Sequence, residues 1–226
     1  MKNQPKPDAG MARAAGETSA RRWEDVVQLA QVDVAEALAR SIGLGHFDRT
    51  RYQNWLAMES VLRRIGALSL DAVASWHISQ PALRTTALAW ALELRDQAKC
   101  AARDVRVIDG IATTPPPTMA QWHAFVCSAA ASQRVGEALG SVLLHEHLFA
   151  GPMQVVIATI LKMPFSSGSQ YPAAILRPGQ LAAVQDEREA LCNAYSRSAL
   201  AVGAQRAASW YQAALSVVTS ASATTL

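Results

Sequence analysis

The side chains best suited to chemistry stand together at His145-Glu146-His147, inside the apolar run LGSVLLHEHLFAGPMQ that spans 139–154. Histidine and glutamate transfer protons and bind borderline metal ions. Gly136 and Gly140 precede the triplet, and Gly151-Pro152 follows it. A glycine inside a helix costs up to about 1 kcal/mol relative to alanine. Two of them a turn apart therefore imply a close approach to the backbone, by a second helix or by a flat ligand. On a helix, residues two apart point to nearly opposite sides, so His145 and His147 cannot share one ion. Helical spacing places His147 on the side of Gly136, Gly140 and Gly151, facing a neighbour or a cavity, and leaves His145 at the surface or rim. A buried, hydrogen-bonded His147 and a liganding His147 are both compatible with this pattern.

Glu146 falls on the side of Leu139, Val142 and Leu143. A buried carboxylate needs a partner, which here would be an arginine, a helix N-terminus or a metal. Glu59 raises the same question, because it lies on the apolar stripe Tyr52, Trp55, Leu56, Leu62 and Ile65. Glu59, Glu146 and a histidine (His147 or His123) are the residue types of a non-heme iron site; buried salt bridges are the structural alternative. The three cysteines, Cys100, Cys127 and Cys192, form no CxxC pair. They read as small buried hydrophobes, and an odd count without a framework points to a reducing compartment. No glycine-rich phosphate loop, GxSxG elbow or Cys-His dyad is read from the spacing.

Half of the 226 residues are hydrophobic and 17% are charged, so a large core is available. The net charge of +3 comes without a Lys/Arg block, which argues against nucleic acid as a partner. No apolar stretch reaches the roughly 18 residues of a membrane span, and the N-terminus lacks the apolar region of a secretory signal. A cytoplasmic protein is expected, with tails at 1–19 and 219–226 around one helical domain at 20–218.

The elements that must position these residues follow from periodicity and breakers. A first helix runs from Arg21 to Ile42. Asp48 caps a second, which closes at Gly66, and Ser69 caps a short one through Trp76. Pro81 opens a helix to about Val107, and the proline-rich stretch Asp109–Pro117 connects onward. One long helix then runs from Thr118 to the break at Gly151-Pro152, and a shorter one ends near Met163. A loop covers Pro164–Arg177, with a brief extended run at Ala173–Leu176, and Pro178 opens one last long helix. Trp55, Trp76, Trp90, Trp122 and Trp210 read as core packing.

The segment LGSVLLHEHLFAG (139–151) resembles, without gaps, the distal-helix segment of bacterial heme oxygenases, whose pattern runs roughly LGxxYVLEGSxLGG. Leu139 and Gly140 match the opening pair, Glu146 the glutamate, and Gly151 the first closing glycine. The stretch FDRTRYQNWL (47–56) resembles the start of that family's second helix. The resemblance implies an all-α, heme-oxygenase-like multi-helical bundle over about Arg21–Gln212. It implies heme or another flat apolar ligand, a tetrapyrrole or small molecule, between the first helix and the 136–151 helix. Gly136, Gly140, His147 and Gly151 would line that ligand, and Glu146 would orient the distal network. A catalytic member would be an oxygen-dependent oxidoreductase served by an external electron donor.

The departures are specific. The family's proximal histidine is missing from the first helix, which reads Gln28-Leu29-Ala30-Gln31-Val32-Asp33-Val34. His147 stands where the family has a distal glycine, and Pro152 replaces the second closing glycine. The iron ligand would then be His147 or His46. Two other functions stay open on the same fold: a non-heme iron or cofactor-independent oxidase of a small metabolite, and a non-catalytic helical interaction protein that has lost its cofactor site. The missing proximal histidine favours the last. Glu146 and the glycines favour the others. A homodimer is also open.

Overall fold

Apolar residues at helical spacing along almost the whole chain leave helix packed on helix as the way to bury them. The computed structural model describes residues 9–109, 116–149, 151–175 and 179–220, and no strand occurs among them. The helices are α1 (Ala9–Gly43), α2 (Arg49–Trp76), α3 (Pro81–Asp109), α4 (Pro117–Ala131), α5 (Val135–Leu148), α6 (Pro152–Ile160), α7 (Tyr171–Ile175), α8 (Gly179–Asn193) and α9 (Arg197–Ser220). The chain is all-α. Residues 1–8 and 221–226 of the expected tails, Leu176, Pro178 and most of the proline-rich connection lie outside the described residues.

Several boundaries differ from expectation for local reasons. Helix α1 begins at Ala9 rather than near Arg21. Helix α2 does not close at Gly66. The missing side chain there admits Leu94, whose Cδ1 would lie 2.9 Å from a Cβ, so this glycine serves packing against α3. Ser69 caps nothing, since its hydroxyl turns back onto the Ile65 carbonyl at 3.1 Å, as serines inside helices do. Asp48 does cap α2, accepting from Arg51 N at 2.9 Å.

The expected long helix from Thr118 is two helices, split where Gln133 takes a left-handed φ of 61°. The chain breaks again at Gly151, whose φ of 58° and ψ of −123° suit glycine, and Pro152 opens α6. The run Ala173–Leu176 is not extended: through Ile175 it belongs to α7. The last segment is also two helices. Ser196 Oγ accepts from Ala199 N at 3.3 Å and so starts α9 afresh.

Helices α2 and α3 form an extended hairpin, and α5 lies between α2 and α9. Helix α1 runs along α9, α4 packs on α2 and α9, and α7 and α8 sit on α3. Trp55, Trp90 and Trp122 are buried in the core and Trp210 is half-buried. Trp76 is instead 47% exposed at the end of α2.

The glycines of α5 meet a helix. A Cβ on Gly140 would run into the backbone carbonyl of Leu200, and one on Gly203 into that of Glu137. A Cβ on Gly136 would lie 2.9 Å from Tyr195 Cδ1 and 3.2 Å from Ala199 Cβ. This is a helix crossing at backbone contact, and it fixes α5 against α9. A Cβ on Gly151 would meet nothing within 4 Å, so that glycine answers to the turn and not to a close approach.

Candidate buried polar centre

Glu59 is fully buried, with 0% exposure, in the middle of α2. Such a carboxylate must be surrounded by donors. Its Oε2 accepts from Tyr171 OH at 2.7 Å and lies 3.0 Å from His145 Nε2. Its Oε1 accepts from Tyr211 OH at 2.7 Å. An ionised carboxylate can only accept, so His145 Nε2 carries a hydrogen in this contact. The donors come from α5, α7 and α9.

A second layer continues outward. Arg63, one turn after Glu59, donates from Nε to Tyr171 OH at 3.1 Å and pairs with Glu146 Oε1. Arg188 of α8 stands 3.9 Å from Glu146 Oε2, pairs with Glu93 and lies 4.5 Å over the Trp90 ring. Glu59, Arg63, Glu146, Arg188 and Glu93 thus alternate in charge from the core to the α3–α8 surface. Tyr171 is held in place from below: Asp104 of α3 accepts the backbone N–H of Gln170 at 2.8 Å and of Tyr171 at 2.7 Å. Burial of the Asp104 carboxyl pushes its pKa up, against those two amides and Arg103.

Burial alone would raise the Glu59 pKa. The charge of His145 and its hydrogen bond, with Arg63 and the Tyr171 hydroxyl, outweigh it and hold the carboxyl below its ordinary 4.5. Burial raises Tyr171 and Tyr211 well above 10, and the Glu59 charge adds to this in both. These shifts give a pH profile of stability. An acid whose folded pKa is depressed contributes stability above its unfolded pKa and loses it as pH falls through the folded one. Glu59 therefore stabilises the fold above about pH 4.5 and ceases to do so below. The raised tyrosines stabilise below pH 10 and lose their contribution above it. Asp104, raised from 3.8 by its burial, acts against Glu59 in acid. Urea midpoints measured across pH should fall on both sides of neutrality, and Glu59→Gln should flatten the acid limb. An acid limb unchanged in Glu59→Gln would assign it to other groups.

The expected site residues land in new places. His145 is not at the rim: it is 4% exposed and sits inside on Glu59, against Trp122 and Tyr211. His147 is exposed at the end of α5, its Nδ1 2.7 Å from its own helix at Leu143 O, with Gln31 of α1 donating to its backbone carbonyl. The helical wheel groups it with Gly140, but Gly140 lies on the backbone of α9 whereas His147 is exposed. His46 is exposed in the α1–α2 loop. Glu146 has the arginine partner that its position demanded. Glu59 and Glu146 do converge, but with His145 rather than His147 or His123, and with Arg63 between them. Among the described residues no group of three His, Cys, Asp or Glu side chains could hold a metal ion.

Sequence reasoning missed Arg63, Tyr171, Arg188 and Tyr211. Arg63 was legible, because it lies one turn beyond Glu59 on the same buried stripe. Tyr171 had no signal, since it follows a loop without periodicity. The cysteines divide. Cys192 is buried, and burial pushes its thiol up to about 11, whereas Cys127 is exposed.

The fold and the centre define an all-α protein built around an internal carboxylate. Compared with family models, curated proteins and solved structures, the chain matches none of them.

Proposed function

We propose that this chain is a non-catalytic helical interaction protein, similar to the heme oxygenases in its 139–151 segment, with protein groups in place of a cofactor. One observation carries this reading. The face of Gly136 and Gly140, which the resemblance would give to a flat ligand, is seated on the backbone of α9. The side chains that could have held iron are likewise engaged by the protein: Glu59 by two tyrosines and His145, Glu146 by Arg63. The surface adds support. Leu68 and Trp76 of α2 share a stripe, Leu88 and Leu92 of α3 share another, and all four are exposed, Leu92 by 60%. Exposed apolar side chains on two packed helices offer surface on which a partner helix could pack.

A second reading rests on Glu59. A carboxylate kept ionised between two neutral tyrosines and an imidazole can accept a proton and return it, which suits a cofactor-independent oxidase of a small metabolite. A heme-binding protein, the first expectation from the sequence, would need α5 and α9 to part at their crossing.

Titration of the full chain with hemin, together with metal analysis, tests these readings. No saturable Soret change and no stoichiometric iron are expected. A one-to-one Soret complex that shifts in His147→Ala would restore the heme reading. Stoichiometric iron lost in Glu59→Gln would establish a non-heme site. The partner we test first is a second copy, because two-fold pairing presents one hairpin face to itself. Sedimentation should show self-association that weakens in Leu92→Lys. A monomer at all concentrations would remove the second copy as partner.

A further inference from the structure

We infer that α4 carries a surface chelate for a thiophilic divalent cation, built from His123 and Cys127. The two residues are four apart on one helix, the spacing at which side chains meet on a helical surface. Both are exposed, and His123 Nε2 lies 3.8 Å from Cys127 Sγ. A tetrahedral zinc-class ion takes sulfur at about 2.3 Å and imidazole nitrogen at about 2.0–2.1 Å, which sets the two donor atoms about 3.6 Å apart. The pair already stands within a few tenths of an ångström of that span.

Thiolate and imidazole together select zinc-class and copper-class ions over magnesium or calcium, which prefer oxygen. Binding exchanges the thiol proton for the metal: the S–H bond breaks, an S–metal bond forms, and one proton is released to solvent. No third His, Cys, Asp or Glu among the described residues completes the set, so water fills the remaining positions, or a second copy's own pair does. The other cysteines do not compete. Cys192 is buried with its thiol pushed up to about 11, and Cys100 is half-buried on α3. His123 lies outside the Glu59 centre, so the chelate stands or falls independently of the proposed function.

The test uses the full chain, reduced and metal-free. Titration with Co²⁺ should give a saturable near-ultraviolet sulfur-to-cobalt charge-transfer band. Zn²⁺ should displace it and abolish alkylation of Cys127, read by peptide mass spectrometry, while Cys100 keeps its rate. Cys127→Ser should lose the band, and His123→Ala should lose saturable binding. Both positions are exposed, so the fold should tolerate either change. Alkylation of Cys127 equally fast with and without Zn²⁺ would overturn the inference. So would a band in His123→Ala with unchanged affinity, because the site would then be a thiol alone.

Discussion

Glu59→Ala is expected to destabilise the fold by about 3–5 kcal/mol, the usual cost of removing one partner from a buried charge cluster. The loss is not that of one contact. Tyr171, Tyr211 and His145 each aim a donor at this carboxylate, and none has another acceptor on the described hydrogen-bond map. Arg63 keeps Glu146, so its charge stays compensated from outside. Glu59→Gln keeps the shape but exchanges one acceptor oxygen for an NH₂, which must face a tyrosine hydroxyl or His145. It should approach the alanine variant in cost. Domains are typically stable by only about 5–15 kcal/mol, so either change consumes a large part of the total. Urea denaturation of the wild type and both variants measures this directly. A loss below about 1 kcal/mol would mean that the three donors find substitutes and that Glu59 is not the hub of the core.

Gly140→Leu is expected to cost at least the upper part of the about 1–3 kcal/mol typical of overpacking. The reason lies in what stands opposite. The atoms facing Gly140 are the carbonyl and Cα of Leu200, and a backbone has no rotamer to adopt. The helices can only separate, which would carry Tyr211 away from Glu59 and His145. Gly43→Ala is the matched control, since a Cβ there meets nothing within 4 Å. Thermal denaturation should separate the two sharply. An unchanged midpoint for Gly140→Leu would show that α5 and α9 are not in backbone contact.

The helical class was legible because apolar spacing persists along the chain and asks for nothing long-range. The break at Gly151-Pro152 was legible from the stereochemistry of two adjacent residues. The splits at Gln133 and Ser196 were harder, since neither carries a proline or glycine. The candidate site was half legible. The burial of Glu59 and Glu146 followed from the stripes they occupy, and an arginine was among the partners foreseen for Glu146. The histidines were inverted. A helical wheel orders side chains around one axis but does not say which neighbour covers each turn, so Gly140 and His147 shared an angle without sharing a surrounding. The pairing of His123 with Cys127 was present in the i, i+4 spacing, although no Cys-His dyad was read from it.

The hydrogen bonds on Glu59 join residues 86, 112 and 152 positions apart in sequence. Loop-closure entropy must be overcome before such contacts yield anything, and a high contact order slows the search. The α2–α3 hairpin can assemble locally, but it carries a naked carboxylate on its inner face until α5, α7 and α9 arrive. During synthesis Tyr211 of α9 emerges last of the three donors. The charge that locks the finished bundle is thus a late checkpoint in its assembly: partly folded chains bear the burial cost of Glu59 without its compensation, which widens the gap between the native arrangement and its compact competitors.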